Sequence, residues 1–182
     1  MKVYTAVGRD GTELAHPIND SDFETLYLLP AGKPLLPSWS QVPMHLVRFE
    51  HDGSFLVASD APWLGSHALV LKKGAVDAMR PILDANGELL PVQSEDTPLH
   101  LFNATRIVDA LDESASAIVR FRDSQRVMRI TKYAFRAAAL ANVDCFRIPQ
   151  LRVSPIFMSE RFIDAWSAAR LTGLNFELVW NG

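Results

Sequence analysis

The side chains able to do chemistry in this chain are few and scattered. Histidines stand at His16, His45, His51, His67 and His100, and the one cysteine is Cys145. None of the histidines forms the HExxH pattern that sets two imidazoles and a general base on one helical face, and none stands at zinc-ligand spacing from Cys145. His45 and His51 share parity along a strand, with Glu50 and Asp52 beside them, so a weak metal site is one reading. Solvated or hydrogen-bonded imidazoles are the simpler one. Cys145 follows Val143 and Asp144 and precedes Phe146, with no base nearby to generate a thiolate, and reads as a small buried apolar residue.

Nucleophile and phosphate motifs are equally thin. Gly65-Ser66-His67 lacks the second glycine of a nucleophile elbow. Ala31-Gly32-Lys33-Pro34 has a lysine after glycine, but no earlier glycine at P-loop spacing, and proline follows it. Asp109, Asp112 and Glu113 form the densest acidic group, able in principle to do acid–base work. A loop cap, or ion pairs to nearby arginines, accounts for them with fewer assumptions. Arg120, Arg122, Arg126, Arg129 and Lys132 make one hairpin basic. A nucleic-acid surface would interleave aromatics among such cations, whereas Phe121 has the opposite parity to Arg120 and Arg122. An exposed hairpin carrying cross-strand ion pairs is expected.

The elements that must position these groups are legible from periodicity. Lys2–Val7 alternates as a strand. Residues 16–45 hold Pro17, Pro30, Pro34, Pro37 and Pro43; Pro30, Pro34 and Pro37 are too close for a helix or central strand, so a long ordered loop pinned by Leu35, Leu36 and Trp39 is expected. Met44–Phe49 and Ser54–Val57 flank Asp52-Gly53, a hairpin signal. Ala68–Leu71 is a short apolar strand, and Gly74–Leu83 a helix that Pro81 should kink or end near Arg80. Glu88–Val92 is a strand; 116–122 and 126–135 form the second hairpin; 136–141 is a helical turn; 145–148 is a strand. Pro155–Met158 leads into a helix capped at Ser159, with Phe162, Ile163, Trp166 and Ala169 on one stripe and Thr172-Gly173 as its stop. Phe176, Leu178 and Trp180 alternate as a last strand.

One register recurs. LVLKKGAVDAMRPILDANGELLPV from Leu69 superposes on IFMSERFIDAWSAARLTGLNFELV from Ile156 at a constant offset of 87. Each copy reads strand, helix, glycine, strand. The fold class expected is α+β, a mixed and largely antiparallel sheet carrying two main helices, in a single domain over 1–182.

Composition bounds the rest. A chain of 182 residues with 48% apolar and 21% charged residues is ordinary for a globular protein. One cysteine excludes an internal disulfide framework and suits a reducing compartment. MKVYTAVGRDG lacks the apolar core of a signal peptide, and no stretch approaches the roughly 18 apolar residues of a membrane span, so a cytoplasmic protein is expected. The net charge of −3 is uneven: residues 1–96 hold 13 acids and 7 bases, whereas 97–182 hold 8 acids and 11 bases. The acidic first half argues against nucleic acid there and would suit a basic protein.

From Leu69 the segments LVLKKGAVDAMRPIL, GELLPV, LFNATRIVDALDESAS, VMRITKYAFR, FRIPQLRVSPIFMSERF and LTGLNFELVW follow in order. Over roughly residues 60–180 this series resembles immunity family eleven of bacterial polymorphic toxin systems. Asn103 with Thr105 through Leu111-Asp112, and the Pro155–Trp180 unit, carry it most specifically. Residues 1–59 carry no resemblance and would be the variable first portion. The resemblance implies a cytoplasmic antitoxin that blocks a toxin domain by binding it, nuclease toxins being among the effectors of such systems. It implies no catalytic group, no cofactor or metal, and no nucleic-acid or membrane partner. A basic toxin site would call for an acidic face, for which Asp20, Asp22, Glu24, Glu50, Asp52, Glu95 and Asp96 are candidates. Trp39 or Trp63 would be the buried anchor, against the plainer reading of both as core. The competing reading is a small-molecule-binding or enzymatic α+β domain with a pocket near His45, His51 and His67.

Overall fold

Alternating and wholly apolar runs place most of the backbone in strands. The computed structural model describes residues 1–27, 29 and 32–182; Leu28, Pro30 and Ala31, read above as loop, lie outside the described residues. In chain order the elements are β1 (Lys2–Gly8), β2 (Leu14–Pro17), α1 (Asp22–Leu26), β3 (Met44–Val47), β4 (Leu69–Lys72), α2 (Lys73–Asn86), β5 (Gly87–Val92), β6 (Leu99–Ala104), β7 (Ala117–Arg120), β8 (Val127–Lys132), β9 (Cys145–Phe146), β10 (Phe157–Ser159), α3 (Glu160–Ala168) and β11 (Leu174–Asn181). Every strand ladder is antiparallel, and the class is α+β as expected.

Two sheets carry the fold, ordered β11-β1-β10-β9 and β4-β6-β5. The offset of 87 read from the sequence recurs in their boundaries: α2 starts at Lys73 and α3 at Glu160, β5 at Gly87 and β11 at Leu174. Both helices start from an extended N-cap residue, Lys72 (φ −78°, ψ 162°) and Ser159 (φ −79°, ψ 167°). In each unit the two flanking strands pair with one central strand, β6 for the first and β1 for the second. The registers agree as well. Lys72 faces Leu99 as Ser159 faces Val3, and Gly87 to Pro91 face Ala104 to His100 as Leu174 to Leu178 face Gly8 to Tyr4. The correspondence ends at a bulge between Val3 and Tyr4. The central strand follows β5 in the first unit but opens the chain in the second.

Strand alternation sends each sheet's side chains into two layers. Leu69, Leu71 and Phe102 of one sheet and Ala6, Met158 and Cys145 of the other meet the apolar stripes of α2 (Val76, Met79, Leu83) and α3 (Phe162, Trp166) in one cluster. The opposite face of β4-β6-β5, with Val70, Leu90 and Leu101, is covered by the β2–β3 ribbon and by Leu26 of α1. The opposite face of the four-stranded sheet, with Val3, Phe146 and Phe157, is covered by Ile130 of β8 and the stretch around Leu111, Phe135 and Leu140. Burial of these side chains contributes about 1.5–3 kcal/mol apiece.

Local expectations are corrected in four places. α2 runs through Pro81 to Asn86; Pro81 and Asp77 are both exposed, so solvent can reach the carbonyl left without a donor. α3 ends at Ala168, earlier than Thr172-Gly173; Arg170 takes the left-handed conformation (φ 54°) that ends it. Gly173 (φ +98°) serves instead the turn into β11, where a Cβ would stand 2.3 Å from Ala61 O. The hairpin over 44–57 forms around its turn, with a Phe49–Phe55 bridge and Leu56 N donating to Arg48 O (2.9 Å), but β3 ends at Val47, short of the expected Phe49. The proline-rich stretch contains the short helix α1, which its prolines concealed.

The buried polar groups tie segments together. Arg147 is fully buried, and its guanidinium donates to Ala104 O (3.1 Å), Ser154 O (2.7 Å) and His67 O (2.7 Å). No carboxylate faces it among the described residues, and burial pulls its pKa down to about 10. The buried carboxylate of Glu13 accepts from Ser59 N (2.9 Å) and pairs with Lys72. Burial pushes the Cys145 thiol well up, as befits a core residue rather than a nucleophile.

Candidate functional site

The acidic candidates fall around the β2–β3 ribbon. Glu50 and Asp52 occupy its exposed tip, where Glu50 N donates to Ser54 O (3.0 Å) and Asp52 Oδ1 accepts from Ser54 N (2.9 Å). The Ser54 hydroxyl and N–H hold the Asp52 carboxyl below its ordinary pKa, so it stays charged. Glu50 also lines a hollow of about 360 Å³ with Arg9, Asp10 and Trp63. Glu95 and Asp96 line a second hollow of about 170 Å³ with Ile18 and His45. Asp20 and Glu24 are exposed in and just before α1, and Asp22 accepts from Asn19 Nδ2 (2.9 Å). Of these candidates Asp96 alone has a cationic partner among the described residues, Arg48 at 2.9 Å.

The two tryptophans are both half-buried. The Trp39 indole packs against the cluster under the ribbon and donates to Pro91 O (2.8 Å), along the outer edge of β5. Trp63 packs against the main cluster, so close over the backbone at Gly8 that a Cβ there would stand 2.7 Å from the indole. The structure thus brings Trp63 to Glu50 and leaves Trp39 elsewhere.

Three residues that sequence reasoning left out dominate the ribbon tip. Phe49, Phe55 and Val57 are 59%, 68% and 64% exposed. The two rings sit edge to face with centroids 5.0 Å apart, flanking the Glu50–Asp52 turn. Their alternation signals a strand with one buried face; it holds no sign that nothing packs on that face. Exposed apolar groups so concentrated beside charges mark a binding surface more often than a solvated one.

His45 faces His16 across the ribbon, ring centroids 6.4 Å apart, rather than His51 or His67. His45 and His51 are exposed, whereas His67 is half-buried between the Tyr27 ring (6.0 Å, stacked) and Arg147. Burial first, then the Arg147 charge, lowers the His67 pKa. Among the described residues no group of three His, Cys, Asp or Glu side chains is placed to hold a metal ion. The second acidic group is structural: Asp112 accepts from Ser114 N (3.0 Å) and Ala115 N (3.2 Å), Glu113 pairs with Arg120 (2.6 Å), and Asp109 with Arg136 (3.4 Å).

The β7–β8 hairpin departs from expectation. No cross-strand ion pair forms on it among the described residues; Arg120 turns to Glu113 outside the hairpin, and its other donor goes to Gln125 O (2.5 Å). Strand spacing puts exposed Arg122, Arg126, Arg129 and Lys132 where no acid stands opposite. No helix among the described residues is long and apolar enough to cross a membrane.

A family model described as an immunity protein family (Imm11) matches residues 90–181. The match starts within β5 and ends with β11, so β4 and α2, included in the expected span of 60–180, lie outside it. No curated protein matches the chain.

Proposed function

Because the chain belongs to the immunity protein family Imm11, we propose that it neutralises a cognate toxin domain in the cytoplasm by occluding it, with no bond made or broken. The contact is the tip and flank of the β2–β3 ribbon: Phe49 and Phe55 as apolar anchors, Glu50 and Asp52 between them, and Asp20, Asp22, Glu24, Glu95 and Asp96 as the surrounding negative field. One observation carries this reading, the exposed Phe49–Phe55 pair enclosing carboxylates without cationic partners among the described residues. Aromatic anchors ringed by charge are the usual composition of an interface hot spot. Trp63, beside Glu50, extends the same surface. A nuclease fits as the toxin, since a site built for phosphate is basic and would be drawn to these acids.

The test is co-expression with the toxin encoded beside this chain. Cell survival that fails for Phe49→Ala with Phe55→Ala, the variant remaining folded, is expected. Killing that continues with the unaltered chain present would remove the inhibitor reading.

A further inference from the structure

On the far side of the sequence from the acidic ribbon lies a groove of opposite character. It holds about 460 Å³ between the β7–β8 hairpin and the loop 149–153, and its walls include Phe121, Arg126, Met128, Gln150, Arg152 and Val153. Phe121, Met128 and Val153 are 41%, 48% and 41% exposed, an apolar floor open to solvent. Arg126 lies 5.4 Å over the Phe121 ring and its Nε donates to Ser124 Oγ (3.3 Å). Neither Arg126 nor Arg152 pairs with a carboxylate among the described residues; Glu113 pairs with Arg120 and Asp109 with Arg136. Gln150 donates through Nε2 to Asp109 (2.8 Å), which fixes its amide and leaves Oε1 buried without a donor among the described residues.

We propose that this groove seats an extended segment of the toxin in which acidic side chains alternate with apolar ones. The proposal rests on the inhibitor reading above. Alternation is what the walls require: carboxylates for Arg126 and Arg152, and apolar side chains for the floor. A nucleic-acid strand would leave the floor unmatched, since Phe121 is the single aromatic there and Arg126 already covers it. A free anion would use the arginines and ignore Met128 and Val153. Extended peptides are held in this manner elsewhere, with backbone bonds giving affinity and alternate side chains giving choice. Charge complementarity also fixes the sign of the segment, because an arginine left unpaired beneath a docked partner is costly. The whole groove lies inside the stretch matched by the family model, whereas the acidic ribbon lies outside it.

The test uses the whole chain and the purified toxin domain encoded beside it. A photo-reactive benzophenone side chain placed at Met128 is expected to cross-link to the toxin, at a segment rich in Asp or Glu with apolar neighbours. Arg126→Glu with Arg152→Glu is expected to weaken toxin binding at least tenfold at an unchanged melting temperature, and Arg126→Lys with Arg152→Lys to keep most of it. Toxin binding that the double reversal leaves intact, with no cross-link from position 128, overturns the groove while leaving the inhibitor reading standing. A cross-link joining two copies of this chain also overturns it, in favour of self-association. Failure of the unaltered chain to bind or neutralise the toxin overturns both.

Discussion

Asp60 and Thr172, 112 residues apart, close on each other through three hydrogen bonds. Asp60 Oδ2 accepts from Thr172 N (2.9 Å) and from the Thr172 hydroxyl (2.7 Å), and Asp60 N donates to Thr172 Oγ1 (3.1 Å). Ala61 N adds a bond to Thr172 O (3.1 Å), and Asp60 O takes the N–H of Lys72 at the start of α2. The pair therefore ties the end of β4, through Lys72 N, to the entry to β11.

Asp60→Ala and Thr172→Val should each destabilise the fold by about 1–3 kcal/mol, the cost of stranding partly buried donors. The double variant should cost less than the sum, because both changes remove one network. Urea unfolding measures this, and strictly additive losses would show that the contact is incidental.

Arg147→Met should cost roughly 2–4 kcal/mol. It leaves three buried carbonyls, at Ala104, Ser154 and His67, without their donor, and this outweighs the relief of unburying a cation. An Arg147→Met protein as stable to urea as the parent would contradict the account of that side chain as the tie between three segments.

Stability should fall as pH drops below neutrality. His67, His16 and His100 are each held below the ordinary imidazole value, burial being the leading cause in all three. The unfolded chain then binds protons first, near pH 6.5, so the folded state loses ground as pH falls from there toward the lowered folded values. Above that window the contribution is complete. Thermal melts at pH 7.5 and pH 5.5 should differ, and His67→Gln should narrow the difference. An unchanged difference would show that His67 is not among the groups responsible.

Charge reversal at the ribbon tip, Glu50→Lys with Asp52→Lys, should slow association with the toxin at low salt and flatten the dependence of the on-rate on ionic strength. Dissociation should change less, since apolar anchors govern it. Stopped-flow association at two salt concentrations distinguishes this from a tip that plays no part, for which both rates stay put.

The repeated unit was readable because its signals are local: an apolar strand, a 3.6-residue stripe in Phe162 and Trp166 or Val76 and Met79, and a second strand at the same offset. The central strands were not readable as such, since β1 and β6 look alike in sequence terms and nothing local says that one must wait for β10 and β11. Pro81 misled because a missing donor matters only where water cannot reach the carbonyl. The acidic residues of the candidate surface could be named from type alone. Phe49 and Phe55 could not, because exposure is a property of what fails to pack on them.

The placement of β1 has a consequence for synthesis on the ribosome. The first unit has all its strands once residue 104 has emerged. β1 leaves the exit tunnel before the other strands, yet both its neighbours, β10 and β11, lie after residue 156. Through most of translation this strand stands with two bare edges, and a chain that stalled early would present them to any passing β-strand. Strand order alone thus leaves β1 unpaired for longer than any strand of the first unit.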